Sequence, residues 1–468
     1  MGQRAWATGL LLLSVLAACT GSVSPLPDAD DLGADDDAAE TLTDDGADVG
    51  GDPAGDSLVP GDNAPDLDPP TIGPLVGLPS AEGAHIADIR DLGDDAWLEL
   101  PSPTADPTYG TAPGRSWGGR AFAWAPDLSG AFLYGEGPHG FVYRDTLAND
   151  ELWFYDVNAN RWITVHPGTD TATFSARVAA GELALDDNLQ LADATGQQIP
   201  VHVLIHAWGF LAYESEARAF TFFADRGLGT YYLPGWDNGA GPMAAGIAAL
   251  EDQVEGRSEP VMGPWTYSVE TGRFARGTAS GVAPPSGNSA FPQLHAVTSM
   301  HELVLAGSSG VFAFDTMTRT WRTVDDGGTR PTGYDQGACY DPTRERIYMG
   351  GGSSESVSGL YTFDLVNEEW LAPASGGPSG FGTNSATVSY DSANDVVTII
   401  HRGDRTIYVF DPATSQWSDS PFAAEVEFSD YASMMGFYDP RLNAYFLYFA
   451  VDGVPDGSMW VYRYRSSD

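Results

Sequence analysis

The chain has 468 residues, of which 65 are acidic and 22 are basic, so its formal net charge at pH 7 is −43. All 22 basic residues are arginine, which excludes Schiff-base and other lysine-dependent chemistry. A charge of this sign makes nucleic acid and anionic membrane surfaces poor partners.

The N-terminus predicts a lipoprotein signal peptide over residues 1–18. Arg4 supplies the positive start, and the apolar stretch at 5–16 is too short to span a bilayer. It ends in Leu16-Ala17-Ala18-Cys19, which resembles a bacterial lipobox, so Cys19 is the predicted lipidation site. An ordinary cleaved signal with an incidental cysteine is the alternative. Thr20, rather than Asp, follows the cysteine, and by resemblance to Gram-negative lipoproteins this favours the outer membrane, with the protein periplasmic or surface-exposed.

Residues 19–76 are predicted to form a disordered, acidic linker. The segment 20–75 contains 15 acidic residues but no aromatic residue and no arginine, and it is rich in Gly, Pro and Ala. Such a composition cannot bury enough apolar surface to offset the entropy of ordering, and its charges repel one another. We therefore expect a solvated tether between the lipid anchor and a folded domain at 77–468.

Within that domain a pattern returns about every 47 residues, in which an aromatic residue stands seven positions before a Trp. Four short strand patterns, separated by turn residues, surround each copy. The copies are Tyr155…Trp162, Phe314…Trp321, Phe363…Trp370 and Phe410…Trp417, with a degenerate copy at Tyr267…Phe274. A fixed period of this length indicates stacked copies of one small unit.

The repeat resembles the kelch repeat, whose marks are a double glycine after the second strand, an aromatic residue on the third strand and a Trp at fixed distance. The glycine pair is complete only at Gly350-Gly351, so the aromatic-to-Trp half is the stronger part of the resemblance. It covers residues from about 95 to 468. It implies an all-β, kelch-like β-propeller of four-stranded blades, named a to d from the axis outwards.

The ends of the domain predict how the propeller closes. Counting third-strand patterns, the last of which contains Tyr462, gives six units, and the chain stops before a final strand d. Trp97 lies in a strand pattern that has no strands a to c before it. We therefore expect pairing of the N- and C-terminal strands to complete a six-bladed propeller, with seven blades as the alternative.

The second unit is anomalous, because about 65 extra residues separate Trp162 from Phe274. They divide into insertions at about 168–200, between strands d and a, and about 227–262, between b and c. A smaller b–c expansion lies at 138–150. Strands of a blade alternate in direction, so these connections emerge on one face, where long loops on a rigid scaffold commonly bind ligands. Neutral elaboration is the alternative, with 243–253 as a helix packed on the rim.

Candidate ligand-binding residues are polar or aromatic side chains on this face. Aromatic rings beside amide, carboxylate or basic groups suit carbohydrate or peptide ligands. At the starts of the innermost strands they are Arg120, His206, Asp335, Asn384 and Asp430, and on the insertions they are Tyr231, Tyr232, Trp236 and Asp237. Packing of Tyr231 and Trp236 within their own loop is the alternative.

No catalytic residue, cofactor or metal site is predicted. The chain contains no phosphate-binding loop, dinucleotide fingerprint or hydrolase nucleophile elbow. Cys339 lies in an apolar strand pattern and is expected to be a buried small residue rather than a nucleophile. The leading interpretation is a non-enzymatic module that binds protein or glycan at the cell envelope. The alternatives are a sugar-acting enzyme, such as a mutarotase-like or lyase-like kelch protein, and a structural envelope component.

Overall fold

Six small antiparallel sheets are arranged as the blades of a β-propeller in the computed structural model of this protein. The all-β, six-bladed architecture predicted from the repeat is therefore confirmed. The structure describes residues 69–107, 122–134, 142–143, 147–148, 150–200, 209–223, 241–254, 256–258, 260–284, 293–307, 310–325, 330–331, 336–350, 359–378, 386–427, 433–450 and 457–466.

Each blade is built on four antiparallel strands. Blade 1 contains β2 (Ala123–Ala125), β3 (Gly130–Tyr134), β6 (Leu152–Asp156) and β7 (Arg161–His166). Blade 2 contains β10 (Leu211–Glu214), β11 (Ala219–Phe222), β12 (Met262–Ser268) and β13 (Arg273–Thr278). Blade 3 contains β15 (Gln293–Val297), β16 (Glu302–Gly307), β17 (Gly310–Asp315) and β18 (Thr320–Asp325), and β14 (Ser280–Gly281) adds to its outer edge.

The second half of the ring is more regular. Blade 4 contains β19 (Ala338–Asp341), β20 (Arg346–Gly350), β21 (Leu360–Asp364) and β22 (Glu369–Ala374). Blade 5 contains β23 (Ala386–Asp391), β24 (Val396–His401), β25 (Thr406–Asp411) and β26 (Gln416–Pro421). Blade 6 contains β27 (Ser433–Asp439), β28 (Ala444–Ala450) and β29 (Ser458–Arg463), and its outer strand is β1 (Ala96–Glu99).

The N-terminal strand closes the ring. β1 pairs antiparallel with β29, with Trp97 opposite Tyr462. The innermost strands of neighbouring blades contact one another in cyclic order, including β27 of blade 6 with β2 of blade 1. The predicted closure through Trp97 is thus confirmed, and blade 6 is assembled from both ends of the domain.

The seven-residue spacing of the sequence repeat corresponds to a directly opposed pair on strands c and d. Phe314 faces Trp321, Phe363 faces Trp370 and Phe410 faces Trp417 across their blades. The Asp after each aromatic residue closes the intervening turn, because its carboxylate accepts backbone N–H groups two and three residues later. The bonds that show this pattern are Asp315 to Met317 and Thr318, Asp364 to Val366 and Asn367, and Asp411 to Ala413 and Thr414.

The apolar core consists of layers between blades rather than one central mass. Six hydrophobic clusters each join two neighbouring blades, and together they run around the whole ring. In the layer between blades 1 and 2, for example, Phe132 lies 5.1 Å from Phe220, and Tyr134 stacks on Phe222 at 4.3 Å between ring centroids. Aromatic side chains bury large areas and fill the wedge between two twisted sheets.

Residues 69–94, which we call the strap, run across the face formed by the a–b and c–d turns. Ser80 Oγ donates to Asp156 Oδ1 at 2.8 Å, and the backbone N–H of Gly83 donates to Asn158 O at 2.8 Å. Leu75 and Leu78 are buried in the layer between blades 1 and 2. Helix α1 (His85–Arg90) then packs Ile86 and Ile89 into the layer between blades 6 and 1. The strap therefore ties together the blades on both sides of the point where the ring closes.

The insertions carry the remaining elements. The d–a insertion contains helix α2 (Thr171–Ala179) and the hairpin β8 (Leu183–Leu185) with β9 (Leu191–Asp193), and the b–c insertion of blade 2 contains helix α3 (Ala244–Val254). The expansion of blade 1 forms the short hairpin β4 (Val142–Tyr143) with β5 (Leu147–Ala148). Helix α2 contacts α3 and also lies beside β5. All three expansions thus meet.

Candidate functional site

One face of the propeller carries the starts of the innermost strands and the b–c connections, and we call it the expanded face. Its three loop expansions come together through α2, α3 and β5. The strap contacts the turns of the opposite face, such as those at Asp156 and Asn158. Of the two ends of the channel, the expanded face is therefore the one that the strap leaves uncovered.

The insertions at 169–200 and 241–258 form a small folded unit, which we call the lobe. It has its own apolar core, formed by Phe174, Val178, Leu183, Leu191, Met243, Ile247 and Leu250. The two helices approach closely at Gly246, where an added Cβ would lie 2.9 Å from the backbone Cα of Ser175. Ser175 Oγ also accepts the backbone N–H of Gly246 at 3.0 Å and donates to Pro242 O at 2.6 Å. The lobe is thus a packed structure rather than a pair of loose loops.

Asp150 anchors the lobe to blade 1. Its fully buried carboxylate accepts the backbone N–H of Thr169 at 2.7 Å and the Thr169 hydroxyl at 2.6 Å. His166 Nε2 lies 3.4 Å from the same carboxylate, and its ring edge meets Phe274 of blade 2. Burial alone would raise the pKa of Asp150, but the contacts with His166 and Thr169 outweigh it and lower the pKa. The carboxylate is therefore held ionised at the root of the lobe.

The far end of the lobe is fastened to blade 2. Gln198 Oε1 accepts the backbone N–H of Arg276 at 2.5 Å, and Gln197 Nε2 donates to Phe274 O at 3.0 Å. Gln198 Nε2 also donates to the Asp186 carboxylate within the lobe at 2.7 Å. Because both ends are fixed to the scaffold, the lobe can present side chains in a defined position relative to the ring.

Three buried polar side chains stand at the starts of innermost strands on the expanded face. They are Gln293 of blade 3, Gln336 before β19 of blade 4, and Thr387 of blade 5, with 4%, 0% and 6% of their surfaces exposed. Within the part of the chain that the structure describes, Gln293 Nε2, both amide atoms of Gln336 and Thr387 Oγ1 have no hydrogen-bond partner. Most buried polar groups in folded proteins are paired, so three such groups at one level of one face are unusual.

One step deeper in blade 3, His295 is mostly enclosed by protein and only partly exposed. Burial lowers its pKa to about 4, so the imidazole is neutral at physiological pH. Its Nε2 has no hydrogen-bond partner among the residues that the structure describes. The described groups of blade 3 at this end of the channel are thus an uncharged amide and an uncharged imidazole.

A second polar group lies in the b–c turn of blade 5. Tyr408 Oη donates to Asp404 Oδ2 at 2.6 Å, and His401 Nδ1 lies 2.8 Å from Asp404 Oδ1. Partial burial alone would raise the pKa of Asp404, but Tyr408 and His401 lower it. Burial and the neighbouring carboxylate raise the pKa of Tyr408 to about 12. This turn brings an imidazole, a carboxylate and a phenol together where proton transfer is chemically possible.

All the ligand-binding residues predicted from the sequence, and the lipidation site Cys19, lie outside the described residues. They are Arg120, His206, Tyr231, Tyr232, Trp236, Asp237, Asp335, Asn384 and Asp430. Cys339 lies on β19, is buried and unpaired, and has its pKa raised by burial, as expected for a small core residue. Among the described residues, no three His, Cys, Asp or Glu side chains cluster as metal ligands would.

The residues predicted from the sequence do not include Gln293, Gln336 or Thr387. Gln336 directly follows Asp335, the predicted residue at the start of the same strand. A pattern of strands shows where an innermost strand begins, but it does not show which of two adjacent side chains is buried without a partner. The available signal is a polar residue at the first or second position of an otherwise apolar innermost strand.

The chain matches no protein-family model and no curated protein. Among solved structures it is similar to a structural-genomics protein of unknown function from Bacteroides thetaiotaomicron, with 13% sequence identity and a TM-score of 0.39. That similarity covers 79% of this chain and 77% of the other. Within the described part of this chain, no helix combines the length and apolar character needed to cross a bilayer.

Proposed function

We propose that this protein is a lipid-anchored, kelch-like propeller of the bacterial cell envelope, which binds a protein or glycan through its expanded face. Acyl groups on Cys19 would hold it at the outer membrane, on the periplasmic or the outer side, and the acidic segment between Cys19 and the strap would act as the tether. The observation that carries the proposal is the meeting of all three loop expansions on one face, opposite the strap.

The arrangement of the strap supports the choice of face. The chain enters the described structure at residue 69 and crosses the a–b and c–d turns before it pairs as β1. A tether that joins the propeller on that side leaves the expanded face free to meet a partner. The aromatic residue on each third strand, opposite a Trp on the fourth, supports the assignment to kelch-like repeats.

Substitutions that map the two faces test the binding proposal. Ala176 on α2 and Ala245 on α3 are exposed on the lobe, whereas Met317 and Val366 are exposed in c–d turns of the opposite face. Envelope proteins and glycans captured by the full-length protein are identified by crosslinking and array screening. Ala176→Arg with Ala245→Arg should reduce capture, and Met317→Arg with Val366→Arg should not. The reverse result would reject the expanded face as the binding surface.

The lipid anchor is tested separately through Cys19. The wild-type protein should incorporate labelled palmitate and partition into detergent with the membrane fraction, while Cys19→Ser should do neither. Retention of label in Cys19→Ser would contradict the assignment of the lipidation site.

A sugar-acting enzyme is the second candidate, and the turn containing His401, Asp404 and Tyr408 favours it. If the protein transforms a saccharide there, then His401→Asn should abolish turnover while leaving the fold intact. A matched control is His301→Asn, because His301 is exposed in the a–b turn of blade 3 on the opposite face. Anomer exchange and bond cleavage, followed by NMR on the sugars retained in the screen, provide the measurement.

A further inference from the structure

We infer that the expanded-face end of the channel, on the side of blades 3, 4 and 5, holds the hydroxyl groups of a neutral saccharide. The groups that would contact it are the amides of Gln293 and Gln336 and the hydroxyl of Thr387. This inference rests on the proposed binding function and narrows its ligand to one chemical class.

The first support is that these side chains carry unused hydrogen-bonding capacity. Both atoms of the Gln336 amide, Gln293 Nε2 and Thr387 Oγ1 are buried and have no hydrogen-bond partner among the described residues. A buried amide or hydroxyl that loses its water and gains no partner costs about 1–3 kcal/mol. Three unpaired polar groups of this kind are retained more readily where a ligand supplies the missing hydrogen bonds. Binding sites keep such groups although they lower the stability of the fold.

The second support is their common level in the ring. Each a–b turn ends in a residue with positive φ, and these residues include His301 in blade 3, Glu345 in blade 4 and Asp395 in blade 5. Gln293 and Thr387 lie equally far before these turn residues in the sequence, so they occupy equivalent positions. Gln336 lies one residue earlier than the equivalent position in blade 4. The strands β15, β19 and β23 that follow them are consecutive neighbours around the axis. The backbones of these three residues therefore lie on one arc of the channel end.

Close packing around Gln293 shows that the arc is built and not incidental. Its amide occupies the space that a Cβ on Gly209 of blade 2 would need, and Gly209 O accepts the backbone N–H of Leu294 at 2.6 Å. A side chain at position 209 would displace the amide. Glycine here allows the backbone of blade 2 to approach that of blade 3 closely.

The chemistry of the arc selects the class of ligand. Amides both donate and accept, and a hydroxyl does the same, which matches sugar hydroxyls and does not match an ion of one charge. The chain carries a net charge of −43, which disfavours anionic sugars. On the neighbouring arc, Phe210 of blade 2, next to Gly209, is only partly buried and provides apolar surface. Apolar and hydrogen-bonding arcs together suit a pyranose ring, which has both kinds of surface.

The experiment screens the full-length protein on an array of neutral and anionic oligosaccharides, and then titrates the tightest neutral binder calorimetrically. Gln336→Leu and Thr387→Val remove the unpaired groups with little change of volume. The matched control is Thr398→Val, because Thr398 is buried on the adjacent strand β24 but accepts the Tyr445 hydroxyl at 2.7 Å.

We expect Gln336→Leu and Thr387→Val each to raise Kd by about tenfold or more while the melting temperature is unchanged or higher. Thr398→Val should lower the melting temperature and leave Kd unchanged. The inference is overturned if no neutral saccharide binds, if only anionic ones bind, or if both binding variants retain wild-type affinity. Capture of an envelope protein that is reduced by the lobe substitutions but not by Gln336→Leu would uphold the proposed function and reject this ligand class.

Discussion

Trp97 and Tyr462 face each other across β1 and β29, although they lie at opposite ends of the folded sequence. Their ring centroids are 4.8 Å apart, and the Tyr462 hydroxyl donates to Asp95 Oδ1 at 2.9 Å. The same opposed pair occurs within single hairpins of the other blades, as Phe410 with Trp417. In blade 6, the two ends of the folded chain therefore form this contact. In the other blades, the same contact forms between two strands joined by a short turn.

The equivalence of these two pairs leads to a stability prediction. Trp97→Ala should reduce the free energy of unfolding by about 2–3 kcal/mol, because a half-buried Trp that packs on Tyr462 and Phe422 is lost. Guanidinium denaturation provides the measurement. Trp417→Ala is the matched control, because it removes the same kind of contact within one hairpin. A loss from Trp97→Ala far below that from Trp417→Ala would mean that the closing strand contributes little.

Asp395 is expected to make the stability depend on pH at the junction of blades 4 and 5. Arg344 bonds to both of its carboxylate oxygens, and this contact, together with the Tyr390 hydroxyl, lowers the pKa of Asp395 despite partial burial. Because the folded pKa lies below the unfolded value of about 3.9, the contribution is complete above that value. It is lost as the pH falls through the folded pKa.

Asp395→Asn should therefore cost about 1 kcal/mol or less above pH 5, since the carboxylate is half exposed, and the difference should shrink below pH 4. Asn tolerates the positive φ of 55° at this position, so the backbone is kept. Asp419→Asn, at an exposed position of blade 5, is the control. A difference between wild type and Asp395→Asn that stays constant from pH 7 to pH 3 would contradict the assignment.

Removing the negative charge of Asp150 should release the lobe without unfolding the ring. Asp150→Asn replaces one of the two oxygens that accept the Thr169 N–H and hydroxyl and loses the attraction to His166. Hydrogen exchange measured by mass spectrometry should become faster in 169–200 and 241–258, while strands of blades 4 and 5 keep wild-type protection. Uniformly faster exchange in all blades would show instead that the lobe and ring unfold as one unit.

The close approach of the lobe helices makes a steric prediction. Gly246→Leu should separate α2 from α3, because a side chain there would meet Phe174 and the backbone of Ser175. Ala248→Leu, on the exposed side of the same helix, changes helix propensity little and creates no clash. Limited proteolysis should cleave the lobe of Gly246→Leu faster than those of Ala248→Leu and wild type. Equal cleavage of all three would show that the helices can repack.

Much of the ring could be predicted because its unit is local in the sequence. The aromatic-to-Trp spacing is the length of a hairpin from strand c to strand d, and the Asp between them closes its own turn through nearby N–H groups. Such patterns involve only a few neighbouring residues, so each copy can be recognised in the sequence. Counting these patterns gives the number of blades. It also shows that the unit of Tyr462 lacks a fourth strand, which the strand of Trp97 supplies.

The packing of the lobe and of the strap could not be predicted, because it depends on contacts between segments that are distant in the sequence. A helix packed on the rim at 243–253 is the alternative to a ligand-binding insertion there, and nothing near this stretch in the sequence identifies Phe174 and Val178 as its partners. Leu75 and Leu78 lie at the boundary of a stretch with linker composition, and only the gap between blades 1 and 2 provides them with a buried position. Apolar periodicity shows that a face will be buried, but not against which element.

By itself, the sequence determined the repeat, its class of fold, the closure of the ring and the face on which the loops are longest, because local hydrogen bonds and side-chain alternation encode them. Only the tertiary structure decided that Gln293, Gln336 and Thr387, at the starts of neighbouring innermost strands, would be buried without partners among the described residues. Burial at that level depends on how innermost strands from separate blades approach the axis together, and no single segment contains that information.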